Sequence, residues 1–91
     1  MKRIYLYGLA NAKEQYRVVW HSYIEPEEFS TKNVKAHAAW MRLEHPSVEH
    51  VYAISMRPGL ARDYQNAVRR NTIESNVIFK DMLEREGLFI L

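Results

Sequence analysis

Three stretches of alternating apolar residues, two stretches with apolar residues at helical spacing, and turn-forming residues between them predict an α+β fold. The expected order is β-β-α-β-α, with a small three-stranded mixed sheet, helices packed on one face, and a last helix that is either kinked or broken near Asn71. At 91 residues the chain makes one domain, 1–91.

The first strand is expected over Lys2–Leu9, with Ile4 and Leu6 on one face and Tyr5 and Tyr7 on the other. Gly8 to Gln15 holds glycine, asparagine and charged residues, which is turn chemistry. Tyr16–Ile24 is the second strand. Tyr16, Val18, Trp20 and Ile24 share one face, and Arg17, Val19, His21 and Tyr23 the other. The short connection makes these two strands a hairpin.

Glu25-Pro26-Glu27-Glu28 breaks the strand, and Ser30 is placed to cap a helix by accepting from an unpaired backbone N–H. Val34, His37, Ala38 and Met41, with Trp40 beside them, form its apolar stripe. The helix should stop near Glu44, because Pro46 forces the preceding residue out of helical geometry. Val48–Met56 is the third strand, with Val48, His50, Tyr52, Ile54 and Met56 on one face and Val51 and Ala53 on the other. After Pro58-Gly59, a helical region carries Leu60, Tyr64, Ala67 and Val68 at helical spacing. The stripe slips near Asn71, where Asn71 and Glu74 have capping-box form. The last part is expected to bury Ile73, Val77, Ile78 and Met82, to leave Phe79 nearer the flank, and to end at a left-handed Gly87.

The chain holds no cysteine, which excludes disulfides, thiolate metal sites and a cysteine nucleophile, and is compatible with the cytoplasm. No apolar run approaches the roughly 20 residues that span a bilayer, so no membrane partner is expected. The start, Met1 to Gly8, is basic and then apolar like a signal peptide, but the run is short and is read as a strand. A net charge of +2 is too small to announce nucleic acid. Its distribution is polarised: Arg57, Arg62, Arg69 and Arg70 stand against Asp63 alone, and then Glu74, Asp81, Glu84 and Glu86 outnumber Lys80 and Arg85.

Catalytic signatures are lacking. His45 and His50 flank Pro46 with Glu44 and Glu49 nearby, a compact but weak metal pattern. Ser22, Ser30, Ser47, Ser55 and Ser75 lack the glycine-framed strand-turn-helix that exposes a nucleophile. Gly8, Gly59 and Gly87 lie too far apart for a phosphate loop; Met56 to Leu60 at a strand-to-helix junction is better read as a proline-glycine turn than as an anion site. No cofactor, metal or catalytic residue is expected.

The expected function is therefore a small non-enzymatic module that binds and modulates another protein, dimeric, in the manner of bacterial or phage accessory and inhibitor proteins, an analogy of size and catalytic silence. Arg57, Arg62, Arg69 and Arg70 are its candidate steering surface, with Tyr5, Tyr7 and Tyr23 as aromatic anchors. Leu88, Phe89, Ile90 and Leu91 are the candidate docking and self-association tail, since four consecutive apolar residues need cover from the chain's own core, a second copy or a partner; the rival is a monomer whose tail folds back as a short fourth strand. The alternative is a nucleic-acid-binding regulator in which the same arginines meet phosphates and the tyrosines stack on bases.

Overall fold

The central strand of the sheet is apolar on both faces, and each face has its own core. The computed structural model describes residues 2–12 and 15–90, with the side chains at 11, 12, 15, 16 and 20 outside the description. The order is β1 (Arg3–Ala12), β2 (Gln15–Ile24), a 3₁₀ turn (Pro26–Glu28), α1 (Thr31–Glu44), β3 (His50–Met56), α2 (Pro58–Arg70), α3 (Ile73–Glu86) and β4 (Leu88–Phe89). The described strands form one sheet in the order β2-β1-β3-β4, and every neighbouring pair is antiparallel. The Cα radius of gyration, 12.3 Å, matches the roughly 12 Å expected for a folded chain of this length.

This corrects the expectation of three strands in a mixed sheet. β2 and β3 do run in the same direction, but β1 lies between them and pairs antiparallel with both. The fourth strand comes from the C-terminal segment: Leu88 pairs with Ala53 and Phe89 with Tyr52, and Ile90 donates its N–H to the Val51 carbonyl at 2.8 Å. The hairpin is also tighter than expected. β1 continues to Ala12, which pairs with Gln15, so Gly8 to Ala12 are strand rather than turn. Residues 13 and 14 lie outside the described residues.

Helices cover both faces, not one. Tyr5, Tyr7, Leu9, Ile54 and Met56 point to one side and pack with Ala61 of α2 and with Phe79, Met82 and Leu83 of α3. Leu6, Ile24, Val51 and Ala53 point to the other side and pack with Val34, Ala38 and Met41 of α1 and with Val48. The crossover from β2 to β3 carries α1 over the second face, so no large apolar sheet face is left open. β1 has the alternation expected for it. β2 changes phase: Trp20 pairs with Gly8 and Val18 with Leu9, so Val19 is an extra, unpaired residue. Val18 then packs with the α2/α3 core and Val19 with the α1 core, the reverse of the uninterrupted alternation. The side chains of Tyr16 and Trp20 lie outside the described residues.

The helix ends follow local chemistry. Ser30 Oγ accepts from the Asn33 N–H at 3.1 Å, and α1 stops at Glu44 as Pro46 requires. The last helical region is broken: Asn71 takes a left-handed conformation with φ 50°, and Thr72 caps α3 by accepting from the Ser75 N–H at 3.0 Å. The cap is thus Thr72 with Ser75, one residue later than the Asn71–Glu74 box. The buried face of α3 is Asn76, Phe79, Met82 and Leu83, whereas Ile73, Val77 and Ile78 are exposed. Phe79 wins the inward position because its ring sits edge-on to Tyr7 at 4.9 Å and to Tyr64 at 5.5 Å. Gly87 is extended, with φ −84°, not left-handed, and leads straight into β4. A Cβ there would lie 2.6 Å from the Leu83 carbonyl oxygen, so close approach rather than positive φ selects glycine.

Candidate interaction surface

The expected arginine surface divides in two once α2 is folded. Ala61, Tyr64, Gln65 and Val68 face the sheet. Arg62 and Arg69, seven residues apart, share the flank turned toward β2. Arg62 lines a hollow of about 250 Å³ with Arg3, His21, Tyr23 and Gln65, and no carboxylate lines it. Arg69 is close enough to His21 to act on its protonation. Arg70 lies on the other side of the helix, in a hollow with Thr72, Glu74 and Ser75. Arg57 precedes the helix as its exposed N-cap residue. Among the described residues none of these four arginines takes part in an ion pair.

The tyrosines divide as well. Tyr5 is 5% exposed and Tyr7 is fully buried, so neither serves as a surface anchor. They form the floor of the α2/α3 core, a role the open-face expectation hid. Burial pushes the Tyr7 phenol well above its ordinary pKa, with Gln65 of α2 as the polar side chain that acts against this shift. Tyr23 is half exposed. The Arg3 guanidinium lies 4.5 Å from its ring centroid, and Arg3 Nε is 3.3 Å from Glu25 Oε1. This stack fixes the ring while leaving an edge toward solvent.

His21 completes the hollow. Its pKa is lowered, first by desolvation among its neighbours and second by the positive charge of Arg69. The hollow is therefore a place where Arg62 and the charge of Arg69 meet an aromatic ring, while Glu25 is taken up by Arg3. Arg3, His21 and Gln65 were absent from the sequence-based binding candidates, because only the hairpin register (Tyr23 opposite Tyr5, His21 opposite Tyr7) brings Arg3 and His21 under α2, beside Gln65.

A second surface lies across the sheet. Lys35, Ala38, Ala39, Arg42, Leu43, Pro46 and Ile90 line a groove of about 670 Å³ between α1 and the C-terminal segment. A smaller hollow of about 220 Å³ adjoins it through Lys35 and Ile90, with Phe29, Leu88 and Phe89 on its wall. The expected docking tail is thus partly satisfied in cis. Leu88 and Phe89 are paired as β4 but remain 57% and 54% exposed, and Ile90 packs on the α1 core. Leu91 lies outside the described residues.

Histidines do not assemble a metal set: among the described residues no three of His, Asp and Glu cluster. His45 caps α1, while the His50 ring lies 5.6 Å from Phe89. No described helix is long and apolar enough to cross a membrane. Comparison with protein-family models, curated proteins and solved structures finds no match to this chain.

Proposed function

We propose that this protein is a small non-enzymatic interaction module that binds and modulates another protein, docking an acidic surface on the α2/β2 hollow. The observation that carries this reading is a hollow without a carboxylate in its lining, where Arg62 meets the half-exposed Tyr23 and a His21 that feels the charge of Arg69. Arginine and tyrosine are the residue types that concentrate interface energy, and unpaired cations steer an acidic partner toward them. The cysteine-free composition suits a reducing compartment, and the proposal places the protein in the cytoplasm.

The test is affinity capture of the tagged protein from its native cytoplasm after nuclease treatment, alongside an Arg62→Glu/Arg69→Glu variant. One stoichiometric protein partner retained by the wild type and lost by the variant supports the proposal. The variant should melt like the wild type, because exposed substitutions of this kind change stability by about 0.5 kcal/mol or less. A partner that binds both equally removes the hollow from the mechanism.

The same geometry favours a second reading as a nucleic-acid-binding regulator, because two arginines beside an exposed aromatic suit phosphates and a stacked base. Recovery of nucleic acid alone, lost after nuclease, would select it.

A further inference from the structure

Two helices on opposite faces of the sheet carry matching patterns of opposite charge. On α1, Lys35 and Arg42 stand seven residues apart, and Ala38 and Ala39 lie between them along one flank of the 670 Å³ groove. On α3, Glu74 and Asp81 stand seven residues apart, and Val77 and Ile78 lie between them on the outward face, 43% and 58% exposed. In each helix the four positions are i, i+3, i+4 and i+7. Both charge pairs therefore span two turns, about 10.5 Å. The small residues lie between the cations and the branched ones between the anions, so the α3 side chains have the bulk that the α1 groove lacks.

The ion pairs within the chain sharpen the match. On α3, Glu84 is held by Lys80 at 3.6 Å and Glu86 by Arg85 at 3.8 Å. Glu74 and Asp81 take part in no ion pair among the described residues, and the same holds for Lys35 and Arg42. No acid lines the groove or the smaller hollow beside it. One chain thus presents two unmatched cations around an apolar groove and two unmatched anions around an apolar ridge, at equal spacing.

We propose that the occupant of the α1/β4 groove is α3 of a second copy of this chain. Glu74 and Asp81 pair with Lys35 and Arg42, and Val77 and Ile78 seat over Ala38 and Ala39 against Leu43 and Ile90. The charge pattern reads the same in both directions along the helix, so either orientation satisfies it. Groove and ridge lie on opposite faces of the sheet, so the contact is heterologous. It leaves one free groove and one free ridge on each pair, and association continues into a ring or an open chain rather than stopping at a two-fold dimer.

The test uses the purified full chain alone and therefore succeeds or fails independently of any partner at the α2/β2 hollow. Sedimentation velocity of the wild type over a concentration series should show mass growing past the dimer. Lys35→Glu/Arg42→Glu blocks the groove, and Val77→Ser/Ile78→Ser blunts the ridge. Each variant alone should stay monomeric, with self-association weakened by about tenfold or more, and each should keep the wild-type circular dichroism spectrum because all but the groove floor is exposed. Mixed, the two variants retain one intact groove and one intact ridge and should form a one-to-one pair that grows no further. A wild type that stays monomeric to millimolar concentration, assembly that survives either variant, or a mixture that does not pair would each overturn the proposal.

Discussion

At the scale of single residues, Gly8 lets the α1 core lie close against the sheet. It lies in the middle of β1 on the α1 side, where a Cβ would collide with Met41 Sδ and come within 3.1 Å of a Val48 methyl. Glycine is required there by packing, since no positive φ is involved. Gly8→Ala should destabilise the fold by about 1–3 kcal/mol, the usual cost of overpacking, read as a lower denaturant midpoint with unchanged slope. His21 is the residue through which the hollow responds to pH. Its pKa in the folded protein is below the unfolded value of about 6.5. The unfolded chain therefore binds the proton more tightly. The stability contributed by neutral His21 is present above about pH 6.5, and is lost as pH falls from there through the folded pKa. Arg69→Ala removes the repelling charge and should move the His21 titration toward its ordinary value, as followed by NMR of the imidazole protons. An acidic partner seated in the hollow should move it the same way and be accompanied by proton uptake as pH falls below about 6.5. A His21 titration unchanged by both would separate it from Arg69 and from the docking site.

At the scale of elements, the helix caps decide where the chain turns. Thr72 satisfies the first turn of α3, and the left-handed Asn71 directs it away from α2, assisted by a 3.2 Å bond from Asn76 Nδ2 to Asn71 Oδ1. Thr72→Ala should cost about 1 kcal/mol, checked by thermal unfolding against a Ser75→Ala control that leaves the Thr72 cap in place. These ends were legible in the sequence because capping and proline effects are local: Ser30, the stop at Glu44 and the break at Asn71 all follow from neighbours within a few residues. The faces of β1 and of β3 from His50 to Met56 were legible for the same reason, through strict alternation; Val48, expected on the Ile54 face, lies before the strand and packs in the α1 core instead. What was not legible depends on distant partners. α3 carries two apolar stripes, one through Ile73, Val77 and Ile78 and one through Phe79, Met82 and Leu83. Only the position of Tyr7 and Tyr64 selects the second. Likewise the bulge at Val19 reflects register against β1, and the choice of a short fourth strand over the other ways of covering the tail was settled by the free edge of β3 at Tyr52 and Ala53.

At the scale of the whole molecule, the sheet separates two surfaces that sequence order mixes together. The basic stretch from Arg57 to Arg70 looked like one surface of four arginines; the fold puts Arg62 in the hollow beside β2, brings the charge of Arg69 to bear on His21 there, and turns Arg70 toward α3. Arg3 joins the hollow from the far end of the chain, but it is engaged with Glu25 and Tyr23. Among the described residues, the unmatched cations next to this hollow are then Arg62 and Arg69, and that number sets a limit on what the hollow can bind electrostatically. If it neutralised two phosphates, affinity would fall between 50 and 200 mM salt by about sevenfold for a single strand and about twelvefold for a duplex. Such shallow dependence belongs to weak, non-specific contact, which supports a protein partner whose apolar and hydrogen-bonded contacts survive salt. The deciding measurement is fluorescence anisotropy of labelled single-stranded and duplex oligonucleotides titrated with the protein across that salt range. Binding that is absent or weak, with no more than this loss, is the expected outcome. A loss of about a thousandfold would require roughly six phosphate contacts or more. It would mean that Arg57, Arg70 or the α1 cations reach the same nucleic acid, and the protein-docking reading would give way to the regulator.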